Sequence, residues 1–252
     1  RAAVVRLPRI SNFDDFDPLR RAGVAVDFVT EPGQLDGAHL VILPGTKSSI
    51  ADLRWLKGRG LDAAVLRAAA RGAGVVGICG GYQMLCERLD DPLGADSGGA
   101  DSEQGLGLLR GVTVFEPEKT TRRVSFEVPP GAGIIEGTGP VSGHGYEIHT
   151  GRTDGASRAP IKVTATGEAL PHADGAVSAD GWVLGTYVHG LFDNPELLSR
   201  VLSNIARRHG VPAPEPPGFT LDQEIDRLAD VVRGALDMPL IYRLLGPGLD
   251  GA

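Results

Sequence analysis

The first half of the chain alternates short apolar runs with longer stretches of helical period. "AAVVRLP" (2–8), "VAVDFVT" (24–30) and "HLVILPG" (39–45) are rich in β-branched residues and bounded by Pro, Gly or Asp, which predicts strands. In "SSIADLRWLKGRGLDAAVLRAAARG", Ile50, Leu53 and Leu56, then Leu61, Val65, Leu66 and Ala69, recur at helical spacing, with interruptions near Gly58 and Gly60. "GVVGIC" (74–79) reads as another buried strand, and "GYQMLCERL" opens a helix that would carry Cys86 at its middle. Strands that are apolar throughout, rather than alternating, are covered on both faces. The expected fold class is therefore α/β, a mostly parallel sheet with helices on both faces.

The pattern then changes. Residues 90–105 ("DDPLGADSGGADSEQG") are rich in Gly, Asp and Ser and predict a surface loop. Across 106–190, "GLLRGVTVF", "RRVSFEV", "PVSGHGYEIHTG", "PIKVTAT" and "GWVLGTYVHG" predict added strands, largely antiparallel. Helical signals return at 194–210, with Asn194 as the cap before Pro195, and at 220–245. The Pro-rich "VPAPEPPG" connects them. The expected organisation is one domain over 1–210, then a connector and a carboxyl-terminal helix over 211–252 packing on it.

Composition narrows the function class. The formal net charge is -7 with no offsetting basic stripe, which argues against a nucleic-acid or anionic-membrane partner. No apolar run approaches the ~20 residues of a membrane span, and no signal peptide is visible. The two cysteines, Cys79 and Cys86, form neither a disulfide framework nor a zinc-binding spacing. No metal site is expected, and a reduced, cytoplasmic setting is the simple reading. The chain begins at Arg1 and enters a strand almost at once, which reads as a piece of a longer protein.

"GICGG" (77–81) is the cysteine form of the nucleophile elbow, in which a strand turns sharply into a helix and presents the side chain at the carboxyl edge of the sheet. The helix amino end favours a thiolate, and the Gly80 amide can serve as an oxyanion donor. A buried structural cysteine in a glycine-rich turn is the alternative, and Cys86 illustrates it. A thiol nucleophile needs a base. Of six histidines, His39, His172 and His209 sit at a strand start, a loop and a helix end, and His144 and His149 flank "GYEI". His189, in "GTYVHGLFD", lies where a strand gives way to a loop and is the candidate base. "LPGTK" (43–47) ends the neighbouring strand, and Gly45 can bring a second oxyanion donor to Cys79. The phosphate-loop spacing G-x-x-x-x-G-K-[ST] is absent, so no ATP site is expected in this chain.

Together, "LPGTKSSIADLRWL", "GICGGYQML", "GLGLL" and "YVHGLFDN" resemble the class I, triad-type glutamine amidotransferases, whose fold is flavodoxin-like. "VVRLPRISNFDDFDPL" and "GYEIHTG" narrow the resemblance to the carboxyl-terminal glutaminase-like domains of cobyric acid synthases. The resemblance implies Cys79 as nucleophile, His189 as base, Gly45 and Gly80 as oxyanion hole, and Gln83 and Thr46 as glutamine-binding residues. It implies ammonia transfer from glutamine to carboxylates of adenosylcobyrinic acid a,c-diamide, giving cobyric acid in cobalamin biosynthesis. ATP and Mg would be held by an amino-terminal synthetase domain that this chain lacks; that domain would bring the corrinoid and raise the glutaminase rate. No cofactor is expected in this chain. Typical triads carry Glu two residues after the histidine, where this chain has Leu191. His189 then works as half of a dyad or is oriented by another acid, with Glu147 and Asp193 as candidates.

Two other functions compete with this one. One is a non-catalytic, glutaminase-like docking domain; the intact Cys79 and His189 argue against it. The other is the glutaminase subunit of a cell-wall (lipid II) amidating ligase, which would be expected to lack the "RISNFDDFDPL" leader.

Overall fold

A computed structural model describes residues 1–155, 159–214 and 221–245. The chain divides into two units, Arg1–Pro216 and Pro217–Ala252. In chain order the first holds β1 (Ala2–Val5), α1 (Asp17–Arg21), β2 (Val26–Val29), β3 (Leu40–Leu43), α2 (Ser49–Gly58), α3 (Leu61–Ala70), β4 (Gly74–Ile78) and α4 (Gly80–Leu85). There follow β5 (Arg88–Asp91), β6 (Asp101–Gln104), β7 (Val112–Val128), β8 (Val141–Asp154), β9 (Ile161–Ala165), β10 (His172–Asp174), β11 (Ala176–Val177), β12 (Val183–Thr186), β13 (Val188–His189) and α5 (Pro195–His209). The second unit holds α6 (Leu221–Ala235) and α7 (Met238–Leu245).

One sheet has the order β11-β12-β4-β3-β1-β2, parallel except for β11. Its four central strands, β12, β4, β3 and β1, are buried along their whole length, and the alternation of their side chains divides the core. Ala2, Val4, Leu40, Ile42, Val76, Ile78 and Leu184 face one layer, made by α5 and the apolar side of β7–β9. Ala3, Val5, Val41, Leu43, Val75 and Val183 face the other, made by α2, α3 and α4. One cover is thus partly a second sheet, order β10-β9-β7-β5-β6, with β8 joining β7 to β13.

Several expectations are corrected in detail. The stretch 90–105 is not wholly loop: β5 and β6 pair antiparallel across it, the turn held by the Asp91 carboxylate, which accepts from the amides of Ala95, Asp96 and Ser97. Arg54 and Lys57 of α2 bind Asp101 and Glu103 of β6. α4 ends at Leu85, so Cys86 caps the helix rather than sitting within it. "GWVLGTYVHG" is not part of the antiparallel region alone, because β12 enters the parallel sheet beside β4. The predicted helix over 220–245 is two helices, with the Asp237 side chain accepting from the Leu240 amide at the start of the second. Residues 215–218 of the predicted connector, and residue 220, lie outside the described residues. Asn194 caps α5 as expected, accepting from the Leu197 amide at 2.8 Å.

Candidate active site

The parallel strand order brings the loops after β1, β3, β4 and β12 to one edge of the sheet. Cys79 is the residue between β4 and α4. Its backbone has φ 51° and ψ -111°, a conformation that L-residues rarely adopt. Two contacts fix it there: the Cys79 amide donates to the Thr186 carbonyl of β12 at 2.8 Å, and the Cys79 carbonyl accepts from Gln83 in the helix. The glycines after it let α4 approach the neighbouring strand. A Cβ at Gly81 would lie 1.9 Å from the Leu43 carbonyl oxygen, and one at Gly80 2.6 Å from the Thr46 methyl. The first amides of a helix have no partner in its own ladder, which leaves the Gly80 N–H at the start of α4 free to face the edge.

The loop after β3 supplies Gly45. A Cβ there would be 3.0 Å from Cε1 of His189 and 3.8 Å from Cβ of Cys79, so its backbone lies against both side chains. The segment after β1 runs antiparallel to this loop: Ser11 donates to the Gly45 carbonyl and Lys47 to the Arg9 carbonyl. Thr46 turns its hydroxyl to the buried Asp52 carboxylate at 2.5 Å and to the Arg9 carbonyl, tying the two loops together.

His189 ends β13 and is buried, as is Asp15. Its Nδ1 is 2.7 Å from Oδ2 of Asp15, whose Oδ1 accepts from the Gly190 amide at 2.8 Å. One carboxylate therefore grips both the ring and the backbone after it. The Tyr146 ring stacks on the imidazole, centroids 5.1 Å apart and planes at 13°, and the Tyr146 hydroxyl is held by Asn12. Among the described residues Nε2 has no hydrogen-bond partner. Burial alone would lower the pKa of His189; the hydrogen bond to Asp15 and the nearby Cys79 outweigh it and raise the value to about 10.

The cover over this edge is β8. The Cys79 thiol lies 3.4 Å from the Ile148 carbonyl, and Cys79 is only 7% exposed. The Gln83 side chain is satisfied internally: its carbonyl accepts from Ser49, and its amide donates to the Thr150 carbonyl and the Tyr187 hydroxyl. Cys86 is fully buried, and burial pushes its thiol up to about 12.

Of the residues singled out from sequence, Cys79, His189, Gly45 and Gly80 meet at one point, with Thr46 and Gln83 just behind it. The two candidate orienting acids do not reach His189. Glu147 pairs with Val188 in register, and its carboxylate binds Arg122 at 2.6 Å and His172 at 3.3 Å. Asp193 lies near Arg21 with its side chain 56% exposed. Leu191, at the usual acid position, is packed in the core. The sequence does not mark Asp15, which sits in an acidic run, Asp14, Asp15 and Asp17, in which composition distinguishes none of the three. The available signal was topological: a loop after a strand next to β3 must end at the same edge as Gly45. Among the described residues no group of His, Cys, Asp and Glu could hold a metal ion, and no helix is long and apolar enough to cross a membrane.

The family model of CobB/CobQ-like glutamine amidotransferase domains matches residues 1–197, a span that includes Asp15, Cys79 and His189. The chain belongs to the CobB/CobQ-like glutamine amidotransferase domain family. Curated relatives of this family member include the cobyric acid synthase of Dehalococcoides mccartyi, 42% identical over 98% of this chain and 49% of the relative. That of Sorangium cellulosum is 45% identical over 97% of this chain and 50% of the relative. The chain thus spans about half the length of the curated relatives it matches. Among solved structures, a chain of PurLQS from Thermotoga maritima superposes with a TM-score of 0.59 at 19% identity, over 82% of this chain and 97% of that one. A structure described as a glutamine amidotransferase gives 0.53 at 19% identity, over 83% and 99%. Both share the fold, which is the class I glutamine amidotransferase α/β sheet with its antiparallel additions.

Proposed function

We propose that this chain hydrolyses glutamine and delivers the ammonia to an ATP-dependent ligase half, which amidates carboxylates of adenosylcobyrinic acid a,c-diamide to give cobyric acid. The observation that carries the glutaminase reading is the strained Cys79 elbow facing a buried, carboxylate-held His189 at the carboxyl edge of the sheet. The corrinoid reading is supported by the names of the relatives.

The Cys79 sulfur, as thiolate, attacks the side-chain carbonyl carbon of glutamine, and the C=O electron pair moves onto oxygen. The amides of Gly80 and Gly45 donate to that oxyanion. Protonated His189 gives its Nε2 proton to the leaving nitrogen, the C–N bond breaks, and ammonia departs from a γ-glutamyl thioester. Water then passes a proton to Nε2 and attacks the thioester; the C–S bond breaks, releasing glutamate and restoring the thiolate and protonated His189. Glutamine and water are consumed, and glutamate and ammonia formed. Thr46 and Gln83 act behind this centre. Thr46 joins the loops after β1 and β3, and Gln83 holds β8 through Thr150, so that both shape the glutamine pocket.

ATP and Mg belong to the ligase half. "PGTK" lacks the phosphate-loop spacing and its Thr46 hydroxyl is committed to Asp52 and Arg9, so no nucleotide step is assigned to these residues. A glutamine-derived chloroketone should label Cys79 and spare Cys86. In the protein that carries both halves, Cys79→Ser should lose glutamine-driven amidation of the corrinoid and keep amidation driven by added ammonia. Labelling at Cys86, or glutamine-driven turnover by the serine variant, would overturn the glutaminase reading. Amidation of a peptide carboxylate in place of a corrinoid would overturn the acceptor.

A further inference from the structure

We propose that Asp15 is the third member of the catalytic group: a positioning residue, supplied by the segment after β1, that holds His189 with its Nδ1 as donor and its Nε2 free to exchange a proton with Cys79. The proposal rests on the glutaminase reading above. A base that must shuttle a proton needs one defined tautomer and one ring orientation, and a second group bonded to its far nitrogen supplies both. The acid usually found two residues after the histidine cannot do so here, because Leu191 occupies that place inside the apolar core. Asp15 approaches instead from 174 residues away, and its geometry suits the task. Both its oxygens are engaged, one on Nδ1 at 2.7 Å and the other on the Gly190 amide at 2.8 Å, so neither the carboxylate nor the ring can rotate without breaking the pair. Asp15 is only 4% exposed and His189 1%, so water competes little for either partner.

The supporting contacts point the same way. Asn12, with left-handed backbone at φ 56°, begins the short 3-10 turn Phe13–Phe16 that carries Asp15, and its side chain holds the Tyr146 ring flat against the imidazole. The ring is thus clamped along its edge by Asp15 and on its face by Tyr146. Asp14 and Asp17, the acidic neighbours in sequence, make no contact with His189 among the described residues, and Asp17 pairs with Arg20.

Asp15→Asn separates this role from simple packing. The Asn carbonyl can still accept from Gly190, while its amide now donates to Nδ1. That forces the neutral ring into the tautomer with hydrogen on Nε2, which cannot accept a proton from Cys79. Glutamine hydrolysis should fall by about 10²-fold or more through kcat, with the thermal midpoint little changed and Asp15→Glu recovering part of the loss. Nitrogen NMR of His189 supplies a readout that a structural role would not move: above about pH 10, where the ring is neutral, the wild type should carry its hydrogen on Nδ1 and the Asn variant on Nε2. Because the wild-type spectrum needs no variant to fold, it decides the matter even if the Asn chain is unstable. A neutral wild-type ring with its hydrogen on Nε2, or a folded Asp15→Asn chain with unchanged kcat and pH profile, would overturn the proposal. Failure of wild-type Cys79 to react with the chloroketone would instead overturn the glutaminase reading on which it rests.

Discussion

At the elbow the usual order of alanine and glycine should vanish or reverse. Cys79 is held at φ 51° and ψ -111° by its bonds to Thr186 and Gln83, and such a conformation costs a residue with a Cβ about 1–3 kcal/mol. Cys79→Ala and Cys79→Gly both discard the sulfur, so the loss of its contacts cancels between them. What remains is strain relief in the glycine variant, against its greater unfolded-state entropy, about 0.4–1 kcal/mol, and one lost buried methyl, about 0.8 kcal/mol. The sum lies near zero, whereas at an unstrained buried position the same exchange costs about 1.5 kcal/mol. Ala64, buried within α3, is such a position. The two Ala-to-Gly steps should differ by about 1–3 kcal/mol, which in a unit of this size is a spread of roughly 2–12 °C in thermal midpoint. Calorimetry on Cys79→Ala, Cys79→Gly and Ala64→Gly reads it directly. An Ala-to-Gly cost at 79 equal to that at 64 would mean that no strain is stored at Cys79.

Three further outcomes follow from the same contacts. Gly81→Ala, whose Cβ would stand 1.9 Å from the Leu43 carbonyl oxygen, should destabilise the fold by about 3 kcal/mol or more, read from the denaturant midpoint; normal folding would show that α4 can move off β3. His189 has a folded pKa raised to about 10 from an unfolded value near 6.5, so its contribution to stability is complete below about pH 6.5 and disappears as pH rises through about 10. His189→Gln should flatten that alkaline limb in pH-dependent melting, and an unchanged limb would contradict the Asp15 pairing. Iodoacetamide at pH 8 should modify Cys79 while Cys86, with its thiol at about 12, stays intact until the chain unfolds; peptide mapping that finds Cys86 modified first would refute this.

Much of this was legible in the sequence because it is local. The elbow is a run of five residues in which glycines bracket a cysteine at a strand end, and apolar strands without alternation announce a sheet covered on both sides. The strand that gives way to a loop marked His189 for the same reason. What was not legible depends on which loops meet. Leu191 showed that the usual acid was missing, but nothing in the spacing of Glu147, Asp193 or Asp15 ranks them; the order β12-β4-β3-β1 does, by laying the segment after β1 against the Gly45 loop. Glu147 was drawn into a different partnership because strand alternation turns it towards Arg122 and His172. The hairpin over 88–104 was hidden by its Gly- and Asp-rich turn, since its pairing strands are short and polar and are held by charges on α2.

The place of β12 in the sheet sets a timetable for biosynthesis. β4 leaves the ribosome with β3 already available on one side, but the strand for its other side follows about a hundred residues later, a delay on the order of 5–20 s at common elongation rates. During that interval a fully buried strand of the finished sheet has an open edge, the kind of surface that recruits other chains. The same late segment brings His189, so its buried pairing with Asp15 forms only once that segment has joined the sheet. Chains stalled before residue 183 should therefore aggregate where those stalled after 210 remain dispersed.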